Sequence, residues 1–252
     1  MTTTTEHALA KVPQVTLGFW LIKIAATTLG ETGGDMVSMS MDLGYLVSTL
    51  IFAVIFVAFV AAQIKAGKFH PVLYWATIIA TTAVGTTLAD FADRSLGIGY
   101  AGGSTLLLAL LGASLFTWQR TLGSVSINTV ATPKAEAFYW TTIMFSQTLG
   151  TALGDWTADT EGFGYTGAAI LFGTALALIA AAYYWTKISR VVLFWAAFIL
   201  TRPLGAVLGD FFDKPHANGG LELSRYAASG VLFALIVVCM LVFPQRAASK
   251  AH

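Results

Sequence analysis

Charge is what this chain lacks most. Only 11% of its 252 residues are Asp, Glu, Lys or Arg, 56% are hydrophobic, and the mean hydropathy is +0.73. A water-soluble domain carries about 25% charged residues. A soluble globular protein is therefore excluded, and an integral membrane protein in contact with a lipid bilayer is expected. Cysteine is almost missing too: Cys239 stands alone in an apolar run, which leaves no disulfide framework and no cysteine metal site. The histidines, His7, His70, His216 and His252, all fall in tails or loops, which argues against a buried haem or a His-based zinc centre. No nucleotide-binding motif occurs, so a pump driven by ATP would need a partner. A net charge of +1 without a basic stripe gives no reason to expect nucleic acid. The opening MTTTTEHALAKVPQVTLG lacks the apolar core and cleavage site of a secretory signal, and the first apolar segment is expected to be a permanent span. No catalytic constellation is present, and no enzyme is expected.

What the chain does have is repetition. The stretch Tyr139–Asp155 holds Trp140, then Gly150 ten residues on, then Asp155 five beyond that. The same ruler fits Trp20, Gly30 and Asp35, then Trp75, Gly85 and Asp90, then Trp195, Gly205 and Asp210. An aromatic residue precedes each Trp: Phe19, Tyr74, Tyr139 and Phe194. Trp20 and Trp140 are separated by the same interval as Trp75 and Trp195, so the chain is two halves of two units each. A fixed period of this length marks a repeat architecture.

A span needs about 20 apolar residues. Candidates are Val15–Asp35, Tyr45–Ala62, Val72–Asp90, Tyr100–Trp118, Ala137–Asp155, Tyr165–Trp185, Val191–Asp210 and Tyr226–Phe243. The expected fold is thus all-α and polytopic, with eight transmembrane helices in four two-helix repeats, 15–65, 70–119, 135–186 and 190–243. Residues 120–134 read as a surface linker between the halves, and residues 1–14 and 244–252 as mobile polar tails. Two spans per repeat give all four repeats one orientation, with a symmetry axis along the membrane normal. Lys11, Lys65, Lys68, Arg120, Lys134, Lys187, Arg190, Arg246 and Lys250 lie on the side of the termini, against Arg94, Lys214 and Arg225 on the other. The positive-inside rule then predicts an inner-membrane protein with both termini cytoplasmic. Homo-oligomerisation is left open.

The register-locked aspartates Asp35, Asp90, Asp155 and Asp210 each have a second carboxylate three or four residues away: Glu31, Asp93, Asp159 and Asp213. On a continuing helix such a pair shares one face. Like charges that close disfavour joint ionisation unless a cation or proton intervenes. The alternative is that aspartates at span ends merely sit among headgroups. Seven residues past each Trp stand Thr27, Thr82, Gln147 and Arg202. They can offer neutral oxygens to a cation, or serve only helix packing. Arg202, mid-span beside Pro203, is expected to pair with a carboxylate such as Asp210, Asp155 or another aspartate of a neighbouring repeat, or else to face a wet cavity. Lys23 is expected to reach Glu31 or Asp35, or to snorkel to the cytoplasmic face. The candidate metal ligands are Glu31, Asp35, Asp90, Asp155 and Asp210, and all are hard oxygen donors suited to Mg, Ca, Mn or Na. No resident cofactor is expected beyond a bound divalent cation.

The glycine-rich span ends read LGETGGD, VGTTLAD, LGTALGD and LGAVLGD. This fourfold pattern from Phe19 to Phe243 resembles an uncharacterised bacterial repeat family of small membrane-anchored proteins with no assigned activity. The resemblance implies a repeat-built integral membrane protein. A second similarity is to cation/proton exchangers whose paired repeats carry Glu-x-Gly-Asp-Lys-Thr and which move calcium or manganese. It rests on GETGGD at Gly30–Asp35 and on the Gly-Asp pairs at Gly154–Asp155 and Gly209–Asp210, with Ala152 and Val207 where a Glu would stand. The function expected is transport of a hard divalent cation with proton coupling through paired carboxylates. A non-transporting scaffold whose repeats serve packing alone is the other reading.

Overall fold

The computed structural model describes residues 10–160 and 162–248. His7, His252 and Lys250, named above, lie outside the described residues. The described chain forms eight long α-helices: α1 (Leu17–Asp35), α2 (Gly44–Lys65), α3 (Pro71–Asp90), α4 (Tyr100–Leu122), α5 (Pro133–Asp155), α6 (Gly164–Trp185), α7 (Arg190–Asp213) and α8 (Arg225–Val242). Their starts follow from local chemistry. The Thr16 and Thr132 hydroxyls accept the Phe19 and Ala135 amides, and proline occupies the first turn of α3 and α5, where a missing N–H costs nothing. Gly44, Gly99 and Gly164 adopt positive φ immediately before Tyr45, Tyr100 and Tyr165. The glycine-tyrosine signals therefore mark the entry to each even-numbered helix of repeats one to three. After α1, α3 and α5 the chain makes one π-helical turn, at Met36–Ser40, Phe91–Ser95 and Trp156–Thr160.

Six helices are long and apolar enough to cross a membrane: α2, α3 with its π turn, α4, α6, α7 and α8. This is the make-up of a multi-pass membrane protein. α1 and α5 fall outside that set, and both carry charged side chains that the fold buries, Lys23 and Glu31 on α1 and Glu136 on α5, where Gln147 is buried as well. The odd-numbered helices form an inner ring in which α1 packs on α3, α3 on α5, α5 on α7, and α7 back on α1. The even-numbered helices stand outside it, each against the inner helix of the next repeat: α2 on α3, α4 on α5, α6 on α7, and α8 on α1. The two helices of one repeat touch little. The two-helix repeat therefore packs across its boundary, and the last repeat closes onto the first. Exposure follows this division. The apolar windows of α2, α4, α6 and α8 are 11–22% buried, while those of α3 and α7 are 72% and 67% buried.

Two expectations are corrected. The stretch 120–134 is neither wholly loop nor free at the surface, because α4 runs to Leu122 and α5 begins at Pro133. Between them Ile127 and Val130 are buried, and the Val125 carbonyl accepts the Trp195 indole N–H at 3.0 Å. The tails, as far as they are described, are not loose. Pro13 and Ala247 form an antiparallel bridge. Lys11 pairs with Glu136 at 2.7 Å and donates to the Gln63 and Ile64 carbonyls at the end of α2. Buried apolar neighbours on either side, Ala10 and Val12, give the tail the packing that its polar sequence conceals.

Candidate functional site

The ruler becomes a stack of layers around the axis of the inner ring. At the Trp level each aromatic that precedes a Trp packs on the Trp of the next repeat. Phe19 meets Trp75, Tyr74 meets Trp140, Tyr139 meets Trp195, and Phe194 meets Trp20, with centroids 5.5–6.3 Å apart. The Tyr74 and Tyr139 hydroxyls share a hydrogen bond of 2.5 Å. Edge-on and tilted rings of this kind are individually favourable, and together they form a collar at the N-terminal end of the inner helices.

One turn on lie Lys23, Ile78, Ile143 and Phe198, all fully buried. Lys23 is corrected here. Its ammonium reaches neither Glu31 nor Asp35 nor the surface. It has no hydrogen-bond partner among the described residues and sits 4.2 Å over the Phe198 ring. The aromatic collar stands between it and the N-terminal ends of the inner helices, and α1 extends its carboxylates in the opposite direction.

The next layer holds Thr27, Thr82, Gln147 and Arg202, again fully buried. Each packs on the ruler glycine of the repeat before it. A Cβ on Gly30 would overlap Thr82, one on Gly85 Gln147, one on Gly150 Arg202, and one on Gly205 Thr27. The glycines of the ruler are thus the close-approach points that let four helices share one axis. Arg202 pairs with Glu31 at 2.9 Å. The partner is a carboxylate of a neighbouring repeat, as the mid-span charge demands, but it is neither Asp210 nor Asp155. Asp210 lies two turns further along α7, beyond the level that the guanidinium reaches. Thr86 and Thr151, at the positions equivalent to Glu31 in repeats two and three, accept the other end of the guanidinium at 2.6 and 2.5 Å.

Beyond this come the four ruler aspartates, each no more than 3% exposed. Two cations bridge them in pairs. Arg94 lies 2.9 Å from Asp90 and 3.6 Å from Asp155. Lys214 lies 2.6 Å from Asp35 and 3.1 Å from Asp210. Burial alone would push the Lys214 ammonium down, but the carboxylates of Asp210, Asp35 and Asp213 outweigh it and hold its pKa well above the ordinary lysine value. Arg225 binds Asp213 at 2.5 Å and approaches Asp35 at 4.0 Å. Ligand oxygens of Glu31, Asp35 and Asp210 all lie within 4.8 Å of one another. Six carboxylates (Glu31, Asp35, Asp90, Asp155, Asp210 and Asp213) face four cations (Arg94, Arg202, Lys214 and Arg225), so with every carboxylate ionised the cluster is two charges short of neutrality. Asp35 Oδ1 and Asp155 Oδ1 are buried without a hydrogen-bond partner.

Of the residues expected here, Asp93 and Asp159 do not join. Asp159 is exposed and Asp93 half-buried, and neither has an ion pair among the described residues. The π turn after Asp90 and Asp155 changes the helical phase, so the i+3 and i+4 positions leave the face that α-helical continuation would have given them. Asp213 joins because α7 continues as an α-helix to that residue. The reading from residues alone missed the bridging role of Arg94 and Lys214 and the contacts of Thr86 and Thr151. The signal was present: Arg94 and Lys214 stand at the same offset from Trp75 and Trp195, one in each half.

No curated protein and no solved structure matches the chain, so the similarity to cation/proton exchangers gains no support from these comparisons. A family model matches four times in succession, over residues 18–69, 73–123, 138–189 and 193–246. Each match begins just before a ruler Trp and ends beyond the following outer helix. By these matches and by the fourfold ring they build, the chain belongs to the family described as Repeat of Unknown Function (DUF347).

Proposed function

We propose that the protein is a multi-pass inner-membrane transporter for a hard divalent cation of the manganese or calcium class, with proton coupling through the buried carboxylates. The observation that carries this reading is the carboxylate layer itself: Glu31, Asp35 and Asp210 lie within ligating distance of one another in a cluster two positive charges short of balance. Buried ionisable groups in a membrane interior are costly and mark ion or proton pathways. An oxygen-only donor set selects hard cations. One divalent ion or two protons would neutralise the shortfall, which is the exchange that a coupled carrier makes. In this reading the four repeats run parallel, both termini are cytoplasmic, and the carboxylate layer lies in the outer half of the membrane. The apolar faces of α2, α4, α6 and α8 meet lipid. The chain carries out no catalysis.

A second reading, a membrane scaffold whose repeats serve packing alone, is favoured by one specific feature. Arg94 and Lys214 already tie the four aspartates together in pairs. The test is flux. Purified protein in vesicles holding a manganese- or calcium-sensitive dye should take up the metal when a proton gradient is imposed. Asp→Asn at Asp35, Asp90, Asp155 or Asp210 should abolish that flux while the protein still inserts, and substitution of Asp42 should be mild. Wild-type vesicles that respond no more than empty ones would leave the scaffold reading standing.

A further inference from the structure

Arg202 reaches from α7 into the centre of the ring and touches all three of the other inner helices. One terminal nitrogen donates to Glu31 Oε2 at 2.9 Å and to the Thr27 carbonyl at 3.5 Å, both on α1. The other donates to Thr86 Oγ1 on α3 at 2.6 Å and to Thr151 Oγ1 on α5 at 2.5 Å. The guanidinium is 0% exposed. Its surroundings are one carboxylate, two hydroxyls and one backbone carbonyl. That is a hard-oxygen set carrying a single negative charge, the composition of a binding site for a small cation. We propose that it is a monovalent-cation site which the protein fills with its own guanidinium, so that Arg202 acts as a tethered cation closing the axis.

Charge matching decides the ligand class. The outer carboxylate layer is two charges short and suits a divalent ion. The inner site has one carboxylate, and a single positive charge satisfies it. Two features suit Arg202 to leave. Its Nε has no partner among the described residues, so only the two ends of the fork hold it. Pro203 follows it directly and has no N–H to give the Ile199 carbonyl one turn back, which leaves α7 one bond weaker at the joint. On the inner helices between the Trp collar and Arg202 the further charged group is Lys23, which has no carboxylate partner among the described residues and offers no rival site for a cation. The inference rests on the cation-transport reading for its role as a gate, though binding can be read without flux.

The experiment is chemical rescue. Arg202→Ala is purified in detergent, and its thermal unfolding is followed with guanidinium, sodium or potassium at low millimolar concentration, with bulky choline as control. Arg202→Ala should unfold below wild type and recover several degrees with guanidinium or one of the alkali cations, but not with choline. The double variant Glu31→Gln/Arg202→Ala should not respond. No recovery in the single variant, or equal recovery in the double, overturns the site. Should Arg202→Ala fail to accumulate, Thr86→Val/Thr151→Val decides, since it keeps the ion pair and the side-chain volumes but loosens the fork. Vesicles bearing it should leak sodium several-fold faster than wild type, and an unchanged leak overturns the gate. Rescue of Arg202→Ala beside absent divalent flux in wild type would defeat the transport reading and leave the inner site in place.

Discussion

At Lys23 an amine is enclosed with no acceptor in reach among the described residues. Its neighbours in the layer are Ile78, Ile143 and Phe198, and it sits over the Phe198 ring face. Cation–π attraction is worth on the order of 2 kcal/mol when desolvated, whereas an unpartnered buried amine is costly in either state: charged it lacks a counter-ion, and neutral it lacks a hydrogen bond. The balance is unfavourable, so Lys23 is maintained against stability. Lys23→Met keeps the length and fills the same apolar layer, and it should raise the unfolding midpoint of the detergent-purified protein. A lowered midpoint would mean that the ammonium has a partner in the folded protein that pays for its burial. Glycine provides the opposite case. At Gly150 and Gly205 an added methyl would meet the Arg202 stem and Thr27, and overpacking of that kind costs about 1–3 kcal/mol. Gly112 and Gly173 lie in helices with nothing within 4 Å of an added Cβ, and alanine there should be neutral or stabilising by up to about 1 kcal/mol. Parallel unfolding curves of the four alanine variants check this, and equal losses at all four would dissolve the close-approach role of the ruler glycines.

The helices owe their pairing to the ends as much as to the middles. The C-terminal ends of α1 and α7 carry Asp35 and Asp210, which would repel but for Lys214 between them. A lysine whose pKa is raised in the folded state contributes stability that is fully present below the unfolded value, about 10.4, and lost as the pH climbs through the folded one. Between neutral and acid pH Lys214 therefore stays charged, and any change in stability there belongs to the carboxylates. Lys214→Met should unfold several degrees below wild type at neutral pH and regain part of that loss on acidification, because protonating a carboxylate relieves the repulsion. A deficit that widens on acidification would show that the two aspartates are not the groups it holds apart. The π turns after α1, α3 and α5 belong to the same scale. They rotate Asp93 and Asp159 away from the cluster, and single π turns of this sort are frequent at functional sites.

For the whole molecule the decisive feature is closure. Each outer helix leans on the inner helix of the following repeat, and α8 covers α1, so no repeat can bury its inner helix alone. The fourfold ring at the Trp level gives way to twofold order at the carboxylates, where Arg94 and Lys214 occur in repeats two and four but not in one and three. This fits a chain of two similar halves. The topology carries its own prediction. Reporter fusions at His70, at Thr129 and after the C-terminus should read cytoplasmic, and one at Gly162 external, as the distribution of Lys and Arg in the connections requires. A periplasmic C-terminus would remove both the orientation and the parallel arrangement of the repeats.

The sequence by itself determined the helices, their ends and the repeat. All eight helices begin and end within a few residues of the apolar segments, because hydropathy and capping are local properties. The identity of the layer residues was legible for the same reason: a fixed offset from Trp selects one face of a helix. Only the tertiary structure decided who meets whom. Arg202 pairs with Glu31 because closing the ring brings α7 beside α1, a neighbour 171 positions away that no local pattern names. Lys23 is left alone because its layer is otherwise apolar, and the composition of a layer is a property of four helices at once. The bridging of the aspartates by Arg94 and Lys214, the bridge between Pro13 and Ala247, and the anchoring of the 123–132 connection by Ile127 and Val130 are likewise products of packing. Each depends on surfaces that exist only after the first and last repeats have come together.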